Sequence, residues 1–240
     1  MQSLVTKAKK AHAAARCAVS PSIPILYFGD CDAFRRSTVR ILTVGLNPSK
    51  REFPSSSFQR FPAFESSYRE AWNRYFQTCP YGWFSTFDHL LEGFDASFYG
   101  GRKHTALHTD LLSPVATDPT WSNLPKSDRE VLGKTGIPLW HDLIRYLKPH
   151  ILLISIADRH KEEISFPVIR DWKKVFRATK KKDGTPRREP YDVMHSVVRI
   201  SDNFKADILF GRAAQTPFGA LSNDDKKRIG KELKNRLANW

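Results

Sequence analysis

Residues 39–49, VRILTVGLNPS, carry a nearly continuous apolar run that stops on a glycine and an Asn-Pro turn. A run this short, without alternation, predicts a strand buried on both faces, as in a parallel sheet covered by helices. Thr105 to Leu112, Ile151 to Ile156 and Ala206 to Phe210 read the same way. Between these runs the apolar spacing is helical. FESSYREAWNRYFQT places Tyr68, Trp72, Tyr75 and Phe76 on one face, and WHDLIRYL places Trp140, Leu143, Ile144 and Leu147 on another. SNDDKKRIGKELKNRL closes the chain as a helix with Ser222 or Asn223 at its N-cap. The alternation predicts an α/β fold, a three-layer sandwich whose central, mostly parallel four-stranded sheet is flanked by helices. Two pieces lie outside that pattern. Residues 1–20 read as a basic N-terminal helix, with a transit peptide as the alternative, and residues 173–200 as a basic antiparallel hairpin inserted around Asp183-Gly184. Nothing in the loops divides the chain, so residues 1–240 are expected to form one domain, and a monomer.

The charge narrows the partners. With 39 Lys and Arg against 25 Asp and Glu, the chain carries +14, which favours a polyanion, nucleic acid first and anionic membrane or heparin-like polymer behind it. A basic surface that serves only solubility is the bland alternative. No apolar run approaches the roughly 18 residues of a membrane span. Cys17, Cys31 and Cys79 are odd in number and lack Cys-x-x-Cys spacing, which argues against a disulfide framework, a zinc site or an iron-sulfur cluster and for a cytoplasmic location.

In a parallel sheet, ligands bind beyond the carboxyl ends of the strands. The segments that matter are therefore 45–49, 110–114, 157–160 and 211–219. Pro48 has no amide donor and Gly45 tolerates unusual dihedrals, so the GLNPS turn can leave backbone N–H groups facing the crevice beside the Asn47 amide. Taken alone it is also an ordinary Asn-Pro turn.

GLNPS after the first core strand, FGRAAQTPFGALS after the last and the aromatic segment SSSFQRFPAF between them together resemble the signatures of the uracil-DNA glycosylase superfamily, in order over roughly residues 25 to 235. The resemblance implies an enzyme that flips a pyrimidine out of DNA and hydrolyses its N-glycosidic bond, without a cofactor or metal. By that likeness Asn47 positions the attacking water. Backbone N–H groups around Leu46 to Ser49, in the turn shaped by Gly45 and Pro48, with Gln215 and Thr216, receive the oxygen of the leaving base, and Phe61, or else Phe58, stacks on it. Either phenylalanine serves equally well as core. The DNA contacts fall to Arg212, Pro217 and Phe218, the last as an apolar wedge or simply as a loop aromatic. Lys180, Lys181, Lys182, Arg187 and Arg188 contact the backbone, unless the hairpin is only a solvated turn. Ala214 stands where the family's second signature has its histidine.

Where many members read uracil with an asparagine, this chain has Thr109-Asp110. A carboxylate only accepts, so it suits the amino group of a cytosine and repels the carbonyl of uracil. Ordinary cytosine cannot be the target of an enzyme that tolerates its own genome. A C5-modified cytosine therefore stands slightly ahead of uracil, with His108, two residues back on the same face, beside the substituent. Such excision serves either base-excision repair or defence against modified viral DNA. Asp110 also reads as a turn cap, and with His108 as two ligands of an incomplete metal site. Two other functions remain open: a metal-dependent nuclease using Asp110, Asp158 and Glu162, and a non-catalytic nucleic-acid binder on the same fold.

Overall fold

The structure is a computed structural model that describes residues 1–213 and 215–237. It is an α/β fold with a mixed seven-stranded sheet flanked by helices. The strands are β1 (Ile41–Gly45), β2 (Ala96–Ser97), β3 (His104–Asp110), β4 (Ile151–Ile154), β5 (Val168–Lys180), β6 (Pro186–Ser201) and β7 (Phe204–Gly211), in the spatial order β2-β3-β1-β4-β7-β6-β5. The runs expected as strands are β1, β3, β4 and β7, and every residue of β1 and β4 is buried, as their unbroken apolar pattern requires.

The sheet is larger than the expected four strands. The hairpin is not an insertion beside it. β6 pairs antiparallel with β7 from Val193↔Gly211 to Ser201↔Phe204, and β5 extends the sheet to its edge. β4 and β7, like β2 and β3, run parallel. β5 exposes most of its residues and has several register shifts against β6, which blunt an edge otherwise open to pairing.

The residues fall into two compact units. The first comprises Met1–Asp32, Val44–Tyr81 and Leu107–Lys148. In it α1 (Gln2–Ala14) packs on α5 (Lys126–Leu147), with Lys7 Nζ 2.7 Å from Asp142 Oδ2. α5 begins at Lys126, about four turns before Trp140 and the expected WHDLIRYL stretch, and runs through Gly133, Gly136 and Pro138. Gly136 is required by contact, since a Cβ there would lie 2.0 Å from the Leu112 carbonyl oxygen. The short α3 (Tyr68–Asn73), capped by Ser67 Oγ accepting from Glu70 N, carries Trp72 into an aromatic core with Tyr27 and leads on to Tyr75 and Phe76.

The second unit comprises Ala33–Thr43, Gly82–Ala106 and the chain from Pro149 onward. Here α4 (Asp88–Gly93) lies against α6 (Asn223–Leu237). Ser222 is the N-cap of α6, accepting from Asp225 N at 3.1 Å and donating to its carboxylate at 2.8 Å. Among the described residues no helix is long and apolar enough to cross a membrane.

Candidate active site

The first unit brings the ends of β1 and β3 together. The Gly45 and Leu46 carbonyls accept from Leu111 N and Leu112 N at 3.1 and 3.0 Å. Gly45 is not in the left-handed region, so the expected reason for the glycine is corrected by the geometry. A Cβ at 45 would meet Asp110 Oδ1 at 2.6 Å and His108 Nε2 at 3.1 Å. Glycine stands there because two polar side chains pass over the strand end.

Asn47 donates through Nδ2 to the Pro48 carbonyl at 2.6 Å and to Thr117 Oγ1 at 3.0 Å. The Pro48 carbonyl can only accept, which fixes the nitrogen side of the amide. Its oxygen, Oδ1, is buried without a hydrogen-bond partner among the described residues, an arrangement that costs about 1–3 kcal/mol unless a ligand or water donates to it. Thr117 N also donates to the Pro48 carbonyl, at 3.2 Å, so one residue braces both halves of the Asn-Pro pair. Ser49 turns the other way, its Oγ accepting from Arg51 N as cap of the 3-10 turn Lys50–Glu52. That turn accounts for the Ser49 side chain and leaves any hold on the base to the backbone of the loop, as expected from the sequence.

His108 and Asp110 share one face of β3, as their spacing predicts. His108 is 1 % exposed, the Asp110 side chain 7 %, and Nε2 lies 3.7 Å from Oδ1. The His108 ring packs on Phe28, and the backbones of the two residues exchange two hydrogen bonds. Thr109, between them, points away and donates to the Leu26 carbonyl.

A second carboxyl, which sequence reasoning does not reach, lies behind this pair. Glu52 is buried and accepts from Tyr75 Oη, which in turn accepts from Tyr81 N at 3.0 Å. Burial raises the Glu52 carboxyl to about 7, and the negative charge of Asp110 adds to the rise, against the Tyr75 hydrogen bond and the Arg60 guanidinium. Burial and the same carboxylate push the Tyr75 phenol far above its ordinary range. A glutamate inside KREF has no periodic signature, so only the packing reveals it.

Beside the turn lies a cavity of about 610 Å³, lined among others by Lys50, Arg51, Phe53, Arg60, Tyr81 and Asp118, within the range of small-molecule sites. Arg51 and Arg60 lie over the Tyr81 ring at 5.6 and 5.4 Å, and Arg51 also donates to its hydroxyl. Lys50 pairs with Asp118 at 3.2 Å. Arg60 Nε and Nη1 are buried without hydrogen-bond partners among the described residues. The lining is rich in donors.

Of the two readings of Phe61, platform for a base or core, the packing fits the second. Phe61 is 0 % exposed, stacked on Phe53 at 5.2 Å and flanked by Phe28 and Tyr75, so its faces are covered by core rings and it offers no platform for a base. Phe58 is half-buried and stacked on Phe64 at 3.8 Å. Phe53, not singled out by the sequence, is the ring that joins this core to the cavity wall.

The loop after β7 belongs to the second unit. Phe218 is 0 % exposed, held by its amide on Ser155 Oγ at 2.9 Å and packed against Phe87. It is core, so the wedge reading is corrected, and Pro217 beside it is buried too. Gln215 is exposed with φ of 61°, Thr216 is half-buried, and Ala214 lies outside the described residues. Arg212 is exposed, 3.9 Å from Asp158, while its carbonyl accepts from Tyr191 Oη. At the hairpin tip Lys180, Lys181, Lys182 and Arg188 are exposed. Arg187 is not available in the same way, because it donates to the Lys180 carbonyl at 2.9 Å and to the Ala220 carbonyl.

Among the described residues no three His, Cys, Asp or Glu side chains converge as a metal-binding group. Comparison of the chain with protein-family models, with curated proteins and with solved structures gave no match.

Proposed function

We propose that the protein is a DNA N-glycosylase related to the uracil-DNA glycosylase superfamily, which flips a pyrimidine from DNA and hydrolyses its bond to the sugar. The observation that carries the reading is the convergence of the Asn47 turn with His108 and Asp110 around a glycine that admits no side chain. In this mechanism Asn47 Oδ1, the buried acceptor without a partner, takes a hydrogen bond from the attacking water. An amide is a poor base, so the rate comes from orientation and from the field around the departing base. Asp110 accepts from the exocyclic amino group of a cytosine-type base, and His108 lies beside the C5 position. The donor-rich cavity suits the phosphate and hydroxyl groups of the nucleotide. A modified cytosine is therefore preferred to uracil, and excision serves repair or defence against modified viral DNA. The enzyme acts as a cytoplasmic monomer without a metal.

The test is a panel of oligonucleotides carrying uracil, cytosine and C5-modified cytosines, incubated with the protein in EDTA and then cleaved with alkali. Strand cleavage is expected at a modified cytosine, reduced at least about 100-fold in Asn47→Ala. Release of uracil alone would overturn the role of Asp110. Activity only with added magnesium would favour a nuclease, and binding without abasic sites a non-catalytic protein.

A further inference from the structure

A second basic pocket lies in the second unit, on the antiparallel part of the sheet, and has no part in the reading above. It encloses about 280 Å³ between β5, β6, β7 and the end of α6, with Arg170, Lys173, Lys174, His195, Asp207 and Arg236 in its wall. At its floor His195 and Asp207 are buried, and the imidazole Nε2 donates to the carboxylate at 2.6 Å. A carboxylate accepts, which places a proton on Nε2. Asp207 stands opposite Ile151, the first residue of β4, whereas the loop of residues 211–219 follows the other end of β7. The pocket is thus set toward the sheet end opposite that loop.

Two features make this a built site. Arg170 and Lys173 are three residues apart, a spacing that puts side chains on opposite faces of a regular strand. The register shift between them brings both to one pocket, which is the re-aiming that a bulge performs. The charge is also in excess. Asp192 is engaged by Lys174 and Arg177 at 3.0 Å each, and Asp207 by His195. Among the described residues neither Lys173 nor Arg236 forms an ion pair, so two cations line the pocket without a carboxylate partner of their own, Asp207 being held by His195. A planar guanidinium and an ammonium around a small concavity fit the tetrahedral oxygens of a phosphate.

We infer that the His195–Asp207 pocket is a phosphate-binding site separate from the base-reading residues. Its ligand is a phosphate group, either in a nucleic-acid backbone or as a free phosphomonoester. The test measures binding of inorganic phosphate by calorimetry in the wild type and in Lys173→Ala/Arg236→Ala, both exposed positions, with Lys173→Arg as the conservative control. The expected result is saturable binding, weakened at least about tenfold in the double variant and retained with arginine, while far-ultraviolet circular dichroism stays the same. Competition with a duplex lacking any modified base then identifies the source. Displacement of phosphate assigns the site to a DNA backbone, and absence of displacement assigns it to a free phosphomonoester. No saturable binding, or equal binding in the double variant, overturns the inference. Because none of these readouts involves base excision, failure here leaves the glycosylase reading standing, and the converse holds too.

Discussion

Replacing Glu52 with glutamine tests the buried acid behind Asp110. The carboxyl is raised in the folded protein from its ordinary 4.5 to about 7, first by burial. A carboxyl with a raised pKa binds its proton more tightly when folded than when unfolded, so stability is highest below 4.5 and falls as pH rises through the folded value. At about 1.4 kcal/mol per pH unit of separation, the loss approaches roughly 3 kcal/mol above pH 7, and about 2.5 kcal/mol of it falls between pH 5 and 8. Glutamine keeps an acceptor for the Tyr75 hydroxyl but does not titrate. Urea unfolding of wild type and Glu52→Gln at both pH values cancels every other titrating group in the difference. The variant should gain about 2.5 kcal/mol on the wild type on going from pH 5 to 8. A difference that stays within about 0.5 kcal/mol would show that Glu52 titrates at its ordinary value and that the burial argument fails.

Three further outcomes follow from the placement of single residues. Asp110→Asn should move the preference from a cytosine-type base toward uracil by at least about tenfold in relative cleavage, because the amide can donate to the 4-carbonyl; an unchanged ratio removes Asp110 from base reading. Phe218→Ala should cost about 3–5 kcal/mol and lower the melting temperature by on the order of 10 °C, whereas a wedge would lose DNA distortion at unchanged stability. Neutralising Lys180, Lys181, Lys182 and Arg188 should reduce the slope of log affinity against log salt by roughly 0.9 for each phosphate that is no longer neutralised, as read by fluorescence anisotropy, and an unaltered slope places the hairpin tip off the DNA.

The strands buried on both faces were legible because nothing but a two-sided core explains runs such as Ile151–Ile154, all of them buried. The β5–β6 hairpin was legible too, from the two arms around Asp183-Gly184, but its place at the sheet edge was not, since a mostly exposed arm full of lysine and arginine shows no buried face. β2, two residues long, is below any period. The first turns of α5 were hidden by Gly133, Gly136 and Pro138, which read as breakers until the Leu112 carbonyl shows what the glycine admits. At the candidate site, Asn47, His108 and Asp110 follow from strand ends and from a period of two. Phe61 stayed open between platform and core, and Phe218 was misjudged, for one shared reason: they sit in irregular segments that carry core, and no pattern separates a buried loop aromatic from an exposed one. Glu52 is the reverse case, a charge that composition assigns to solvent and packing draws inside.

Arg187 has a consequence for how the hairpin can be studied. Its guanidinium donates to the carbonyls of Lys180 and Ala220, so the tip and the segment preceding α6 share one fastening. Deleting the hairpin would unfasten the loop that follows β7 along with removing its lysines, and a loss of activity in such a truncation would have two causes that no binding curve could separate. Point neutralisation that spares Arg187 keeps them apart.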